Sequence, residues 1–291
     1  IASSPRRANS IPRLLAGSLA RVTSRAWDSI APWKDLPSPA LVVDVPSLEN
    51  NLRAALQIAG DPARLRLHVK TVKMAEPIRM ARALGVRRWK CATLAEAALV
   101  AECGEADILL AYPTVGPNID RLRRLAQAHP KSQFSTLVDH RETASALAQG
   151  FRDAAAPLPV WIDIETGMGR TGILPNDDAL ELARAITKEP ALTLAGLSHY
   201  DGHIRDADPS LRQQAADASF AKTQRLCDQL IASGIPVPAI VAGGSPTFAI
   251  HASRPGVELS PGTIFFWDFG YGDAFPDLPF QPAAAVLTRV V

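Results

Sequence analysis

The sequence predicts an α/β protein whose main body is a (β/α)8 TIM-type barrel. Strand-like and helix-like segments alternate from Pro39 onward, which is the pattern of parallel βαβ units. Eight such units fit into about 210 residues, a length that suits a barrel better than an open doubly wound sheet. The first strand leads into Pro46–Glu49 without a glycine, so the dinucleotide fingerprint typical of an open sheet does not follow it.

Each predicted strand is a short apolar run, and helices are placed by capping residues and by the glycines that end them. Ser47 caps the first helix, and Gly104, Gly150 and Gly234 end three later ones. The predicted strands are Pro39–Val45, Leu65–Lys70, Arg88–Thr93, Asp107–Tyr112, Gln133–Val138, Val160–Glu165, Leu194–His199 and Ala239–Ala242. The predicted helices are Ser47–Ala59, Pro77–Leu84, Leu94–Cys103, Asn118–Ala128, Arg141–Gln149, Asp177–Thr187 and Pro209–Ser233. Two further runs, Gly262–Asp268 and Ala284–Val291, are predicted as additional strands.

The expected domain organisation has three parts. Residues 1–38 form a basic N-terminal arm, residues 39–280 form the barrel, and residues 281–291 begin a C-terminal β domain whose remainder is absent. The first 27 residues contain five arginines, five serines and no acidic residue. This composition fits either a targeting remnant or a basic helix on the surface of a dimer.

Composition argues against several classes of function. No apolar run reaches the roughly 18 residues that a membrane span needs. A net charge of +2 with scattered arginines does not indicate nucleic-acid binding. Cys91, Cys103 and Cys227 form no CxxC pair, so a disulfide framework or a zinc–cysteine site is not expected. We expect a protein of a reducing compartment, either the cytoplasm or an organellar matrix.

Lys70 is the first candidate for chemistry. It ends the apolar run Leu65–Lys70, where an ammonium group is partly removed from water. Desolvation lowers the pKa of a lysine and frees its amine to form a Schiff base. The alternative is a lysine that reaches solvent or an ion pair. The other strand ends bear on this choice, because barrels assemble their active sites at the carboxyl ends of the strands.

Two glycine-rich loops also follow predicted strands. Glu165–Gly172 (ETGMGRTG) either presents Arg170 rigidly to the barrel mouth or is a plain turn with a solvent-facing arginine. Val241–Thr247 (VAGGSPT) follows the eighth predicted strand, and barrels bind phosphate after their last two strands. Ser260–Thr263 (SPGT) offers a second turn nearby.

The seventh predicted strand ends in His199–His203 (HYDGH). Its two histidines and the aspartate between them could hold a metal, although their directions are open. Tyr200 could exchange protons with a neighbouring Schiff base. A lysine, an anion cradle, an arginine and a tyrosine at one mouth suggest pyridoxal phosphate as the cofactor. A phosphosugar isomerase or aldolase barrel is the competing interpretation, but it has no evident need for ETGMGRTG.

The run His68–Lys73 (HVKTVK) resembles the HxKTHK signature of the D-threonine aldolase and D-serine dehydratase family, relatives of alanine racemase with a fold-type III barrel. Val72 stands where that family usually has histidine. Further blocks resemble the family in the same order over residues 37–291, namely KCAT with AEA, the strand Ile108–Tyr112, ETGMGRTG, YDGH, GGSPT and SPGT with FFWD.

The resemblance implies a set of site residues. Lys70 would bind pyridoxal phosphate, Arg170 would lie at the ring edge and Tyr200 near the imine. The remaining cofactor-binding residues implied are His68, with Gly244, Ser245, Gly262 and Thr263 around the phosphate. Lys70 and Tyr200 would be the catalytic residues.

The activity that the resemblance implies is retro-aldol cleavage of D-threonine and related D-β-hydroxy amino acids to glycine and an aldehyde. The alternatives are a D-serine or 3-hydroxyaspartate dehydratase and a non-catalytic pyridoxal-phosphate-binding barrel. A divalent metal ion (Mn, Co, Zn or Mg) is also implied, with ligands in the C-terminal β domain, so no residue here is assigned to it and we expect little turnover from this chain as given. We expect a small-molecule D-amino acid substrate and a homodimer, without nucleic-acid or membrane partners.

Overall fold

The computed structural model describes residues 35–290, so the basic segment 1–27 and its expected targeting role lie outside the described residues. The chain divides into two compact units. One joins the described residues up to Val45 with those from Ala284, and the other is Pro46–Ala283. Among the described residues, no helix is both long enough and apolar enough to cross a bilayer.

Strands and helices alternate through most of the chain. The strands are β1 (Ala40–Val43), β2 (Arg66–His68), β3 (Arg88–Cys91), β4 (Asp107–Pro113), β5 (Gln133–Val138), β6 (Leu158–Ile164), β7 (Leu192–His199), β8 (Ile240–Ala242), β9 (Val257–Leu259) and β10 (Ala284–Leu287). The helices are α1 (Val45–Ala59), α2 (Ala75–Ala83), α3 (Leu94–Glu102), α4 (Asn118–Ala128), α5 (Arg141–Gly150), α6 (Asp177–Thr187), α7 (Pro209–Ala232), α8 (Phe248–Ala252) and α9 (Phe269–Ala274).

Eight parallel strands, β2 to β9, pair in sequence order and form the barrel of the second unit. The ring closes between β9 and β2, where Leu65 and Leu259 form a parallel bridge. The backbone N–H of His68 also donates a hydrogen bond of 3.0 Å to the carbonyl oxygen of Pro261 across this join. The predicted TIM-type barrel is therefore confirmed.

One predicted strand is wrong in its placement, and one barrel strand was not predicted. Pro39–Val45 was predicted as the first barrel strand, but β1 pairs antiparallel with β10 in a separate two-stranded sheet. Its β-branched residues satisfied the strand pattern without specifying the pairing partner. The eighth barrel strand is Val257–Leu259, which escaped prediction because it has three residues and a central glutamate.

The predicted strand Gly262–Asp268 is also wrong, since the chain forms a single 3₁₀ turn at Thr263–Phe265 there. Its apolar residues are buried by the turn rather than by a sheet, and Ile264 and Phe265 are fully buried. Consecutive buried residues are typical of an irregular segment pressed into a core, whereas a half-buried strand would alternate.

The barrel interior is packed by a buried cluster of Leu109, Leu137, Trp161 and Val241, which come from β4, β5, β6 and β8. Towards the amino ends of the strands the packing becomes ionic. The guanidinium of Arg66 pairs with Asp107 at 2.8 Å and with Glu258 at 2.6 Å. These ion pairs lie at the end of the barrel opposite to the carboxyl ends of the strands, where the polar side chains of the candidate site lie.

Candidate active site at the carboxyl ends of the strands

Two adjoining cavities lie at the carboxyl ends of the barrel strands, and both are lined by Lys70 and Tyr200. The cavity that we call the cradle cavity continues to Gly244, Ser245, Gly262 and Thr263. The other, which we call the inner cavity, continues to Lys90, Asp163 and Arg170. The structure thus brings together all of the site residues predicted from the sequence, because His68 also lines both cavities.

Lys70 lies two residues beyond the end of β2, in the 3₁₀ helix Val69–Thr71, rather than within the strand. The turn is fixed by His68, whose Nδ1 accepts a hydrogen bond of 3.4 Å from the backbone N–H of Lys70. Burial and then the nearby charge of Arg170 lower the pKa of Lys70. Burial also lowers the pKa of His68 well below 6.5, and the charge of Lys70 adds to this effect. The imidazole is therefore neutral beside an amine that loses its proton readily.

The ring of Tyr200 is surrounded by cations. Lys70 Nζ lies 5.5 Å, Lys90 Nζ 5.9 Å and Arg170 Cζ 5.1 Å from the ring centroid. Burial raises the pKa of Tyr200, so its phenol keeps its proton. Such a ring can accept cations on its face and still donate from its hydroxyl group.

Arg170 is carried by a loop with its own hydrogen-bond framework. The Glu165 carboxylate accepts hydrogen bonds from the backbone N–H groups of Gly167 and Gly169. A side chain at Gly172 would place its Cβ 2.6 Å from the backbone nitrogen of Glu165, so this glycine is required for the close approach. The loop therefore presents Arg170 from a fixed backbone, which is one of the two alternatives that the sequence left open.

The anion cradle is built by the loops after β8 and β9, the seventh and eighth strands of the barrel. The backbone N–H groups of Gly262 and Thr263 converge on Ser245 Oγ at 3.2 and 2.9 Å. Gly244 also lines the cavity, but its N–H is taken by Asp201 Oδ1 at 3.1 Å. The convergent donors of Gly262 and Thr263 can equally serve the oxygens of an anion.

The HYDGH motif contributes His199 and Asp201, but not His203, to a buried cluster. His199 and Asp201 form a fully buried cluster with His251, and the possible ligand atoms of these three residues lie within 4.8 Å of one another. His203, the second histidine of the motif, is exposed and outside this cluster. No sequence motif marked His251, which the short helix α8 brings to Asp201 from 50 residues away.

Hydrogen bonds hold this cluster together. His251 Nε2 donates to Asp201 Oδ2 at 2.7 Å, and Thr247 Oγ1 donates to Asp201 Oδ1 at 2.8 Å. Burial alone would raise the pKa of Asp201, but these hydrogen bonds outweigh it and hold the pKa below 3.8. Asp201 thus fixes the turn that carries Ser245.

His199 gives the fold an acid-sensitive group. Burial lowers its pKa from 6.5 to about 3, and the attraction of Asp201 opposes only part of that shift. The unfolded chain would take up a proton near pH 6.5, so the unfolded state binds more protons between about pH 6.5 and 3. The free energy of unfolding should therefore fall as the pH falls through this window, by about 2 kcal/mol at pH 5.

Urea unfolding near pH 7.5 and near pH 5 would measure this loss. We expect His199→Gln to lack about 2 kcal/mol of the acid response of the unmodified protein. His203→Gln, at the exposed histidine of the same motif, is the matched control and should keep the full response. An acid response of equal size with and without His199 would contradict the assignment.

Sequence reasoning missed two residues of the inner cavity as site residues, Lys90 and Asp163. Lys90 lies in the interior register of β3, directly opposite His68 on β2. The available signal was the position of Lys90 between Trp89 and Cys91, which indicates a lysine buried within a strand. Asp163, near the end of β6, accepts a hydrogen bond of 2.9 Å from Thr171 Oγ1.

Comparison with known proteins places this geometry among related barrels. The family described as "Alanine racemase, N-terminal domain" matches residues 43–268. A D-threonine aldolase from Arthrobacter sp is 32% identical over 273 residues, which are 89% of this chain and 69% of that protein. A D-threo-3-hydroxyaspartate dehydratase from Delftia sp. (strain HT23) is 31% identical over 239 residues, which are 80% of this chain and 62% of that protein.

Among solved structures, the crystal structure of D-threonine aldolase from Filomicrobium marinum superposes with a TM-score of 0.79 at 28% identity. The match covers 87% of this chain and 69% of that one. The chain thus spans 62–69% of the length of the curated relatives described above.

Proposed function

Because the chain belongs to the family of the alanine racemase N-terminal domain, we propose that it is a pyridoxal-phosphate-dependent lyase of D-β-hydroxy amino acids. The proposed reaction is cleavage of D-threonine and similar substrates to glycine and an aldehyde. The observation that carries the proposal is the position of Lys70, whose amine stands between an anion cradle and a cationic cavity.

The donor set fits pyridoxal phosphate. Lys70 supplies an amine with a lowered pKa, which an aldehyde-bearing cofactor needs. The N–H groups of Gly262 and Thr263, with the hydroxyl group of Ser245, would hold the phosphate. Any side chain at Gly262 would place its Cβ 2.9 Å from the carbonyl oxygen of His68, so only glycine lets this turn lie against β2. Arg170 would lie at the ring edge.

When bound, the cofactor withdraws electrons from the substrate Cα so that the Cα–Cβ bond can break. The chain's own residues prepare that step. Lys70 Nζ would accept or return a proton, because burial and the charge of Arg170 lower its pKa. Tyr200 keeps its phenolic proton and would donate it at the mouth. The ring of Tyr200, whose centroid lies 5.5 Å from Lys70 Nζ, would cover one side of this amine.

The cluster of His199, Asp201 and His251 does not fit the divalent metal that the resemblance implies. Asp201 already accepts hydrogen bonds from Gly244, Thr247 and His251. The guanidinium of Arg254 lies 3.2 Å from His251 Nδ1, and its positive charge opposes a cation there. We therefore assign no metal ligand among the described residues, and no step above depends on a metal.

Product analysis with D-threonine tests the proposal. The protein loaded with pyridoxal phosphate, assayed with and without added Mn²⁺, should release glycine and acetaldehyde in equal amounts. L-threonine is the control for the configuration at Cα and should give neither product. Release of 2-oxobutanoate and ammonia would instead favour the dehydratase, the second candidate because of the likeness to the Delftia protein. A bound cofactor without any product would favour the non-catalytic barrel.

A further inference from the structure

Lys90 is a buried lysine that the proposed chemistry does not yet use. Its side chain is 3% exposed, and its Nζ lies 3.4 Å from Ser260 Oγ. It forms no ion pair with any carboxylate among residues 35–290. Burying an ammonium group without an ion pair is costly, and such groups are found where a ligand supplies the opposite charge.

The charges around Lys90 leave it with excess positive potential. Asp163 attracts it, whereas Lys70, Arg66 and Arg170 repel it. Burial is the largest effect and lowers the pKa of Lys90 to about 8. An anion that enters the inner cavity would therefore be stabilised by several cations. Of the three cations that line this cavity, Lys90 is buried, Lys70 is half-buried and Arg170 is exposed.

The covalent structure of pyridoxal phosphate identifies that anion. The aldehyde carbon is attached to ring atom C4, the phosphate arm is attached to C5 and the phenolic oxygen to C3. C3 and C5 therefore flank C4, the ring atom that bears the aldehyde carbon to which Lys70 would bind. With the phosphate arm in the cradle cavity at Ser245, the 3-oxygen must face the inner cavity, where Lys90 lies.

We propose that Lys90 Nζ binds the anionic 3-oxygen of pyridoxal phosphate and so acts as a cofactor-binding residue. This inference depends on the cofactor named in the proposed function. It also gives Lys90 and Arg170 separate roles. If Lys90 holds the 3-oxygen, Arg170 would contact the outer edge of the ring.

Cofactor binding by Lys90→Met and Lys90→Arg tests this contact, with Lys222→Met as the matched control at an exposed lysine of α7. Two quantities are measured, the dissociation constant for pyridoxal phosphate and the pH at which the visible absorption of the bound cofactor changes. Loss of a charge-assisted hydrogen bond should weaken binding roughly tenfold or more in Lys90→Met. The absorption change should move about one unit to higher pH, since a nearby cation disfavours the protonated chromophore.

Lys90→Arg should restore most of the pH midpoint because it keeps the charge, and Lys222→Met should match the unmodified protein in both quantities. An unchanged midpoint in a folded Lys90→Met would overturn the contact, even if binding were weaker. Should Lys90→Met fail to fold, Lys90→Gln is measured in the same way. Failure of the unmodified protein to bind pyridoxal phosphate would refute both proposals, whereas binding without lyase products would refute the proposed function alone.

Discussion

Lys70→Ala is expected to abolish covalent attachment of pyridoxal phosphate and to lower kcat by ~10³-fold or more. The physical reason is that Lys70 carries the amine at the junction of the two cavities. Absorption spectroscopy of the purified variant, together with borohydride trapping and peptide mapping, would measure the attachment. Product release from D-threonine would measure the rate.

Lys73→Ala is the control, because Lys73 is exposed in the turn that follows and should keep both the spectrum and the rate. The alternative site of attachment is Lys90, which lines the same inner cavity. A visible spectrum that persisted in Lys70→Ala, with the label mapped to Lys90, would move the attachment one strand along the barrel and refute the central assignment.

Arg66→Met is expected to lower the free energy of unfolding by about 3 kcal/mol. Arg66 is 1% exposed, and its guanidinium joins β2 to Asp107 on β4 and to Glu258 on β9. Removing it leaves the buried Glu258 carboxylate with Arg88 as its remaining ion-pair partner within the described chain. The loss should therefore exceed that of a surface pair, because a buried charge is left poorly compensated.

Urea unfolding followed by circular dichroism would measure this effect. Arg53→Met is the matched control, since Arg53 pairs with Glu49 on the exposed face of α1 and should cost no more than about 0.5 kcal/mol. Glu258→Gln in the Arg66→Met background should recover part of the loss by removing the poorly compensated charge. A loss of less than about 1 kcal/mol in Arg66→Met would mean that the ion network contributes little to the barrel.

The barrel and most of its site could be predicted from the sequence because both depend on local patterns. Parallel strands place their carboxyl ends at one face, so reading the short segments that follow the strands was enough to bring Lys70, Arg170, Tyr200 and Ser245 together. The strand order was harder to predict. Val257–Leu259 is too short to stand out, and the apolar run at Ala40–Val43 fits an antiparallel pair as well as a barrel.

The site residues that were not predicted were missed for a different reason. Whether a strand residue faces the interior depends on register, and register is set by partners far away in sequence. Lys90 faces the cavity because it lies opposite His68, and the apolar neighbours of Lys90 within β3 indicate its burial but not this partner. His251 meets Asp201 only because α8 follows β8 across the top of the barrel. Such contacts are tertiary, so composition and spacing do not specify them.

The join between β9 and β2 has a consequence for how the barrel responds to its ligand. These strands meet through the bridge of Leu65 with Leu259 and the hydrogen bond from His68 to Pro261, rather than through a continuous ladder. Lys70 extends from one side of that join and Thr263 from the other. A molecule bound covalently to Lys70 and through its anionic group to the backbone N–H of Thr263 would link β2 to β9 across this join. Its occupancy would then add to the free energy of unfolding by mass action and slow amide exchange in both strands.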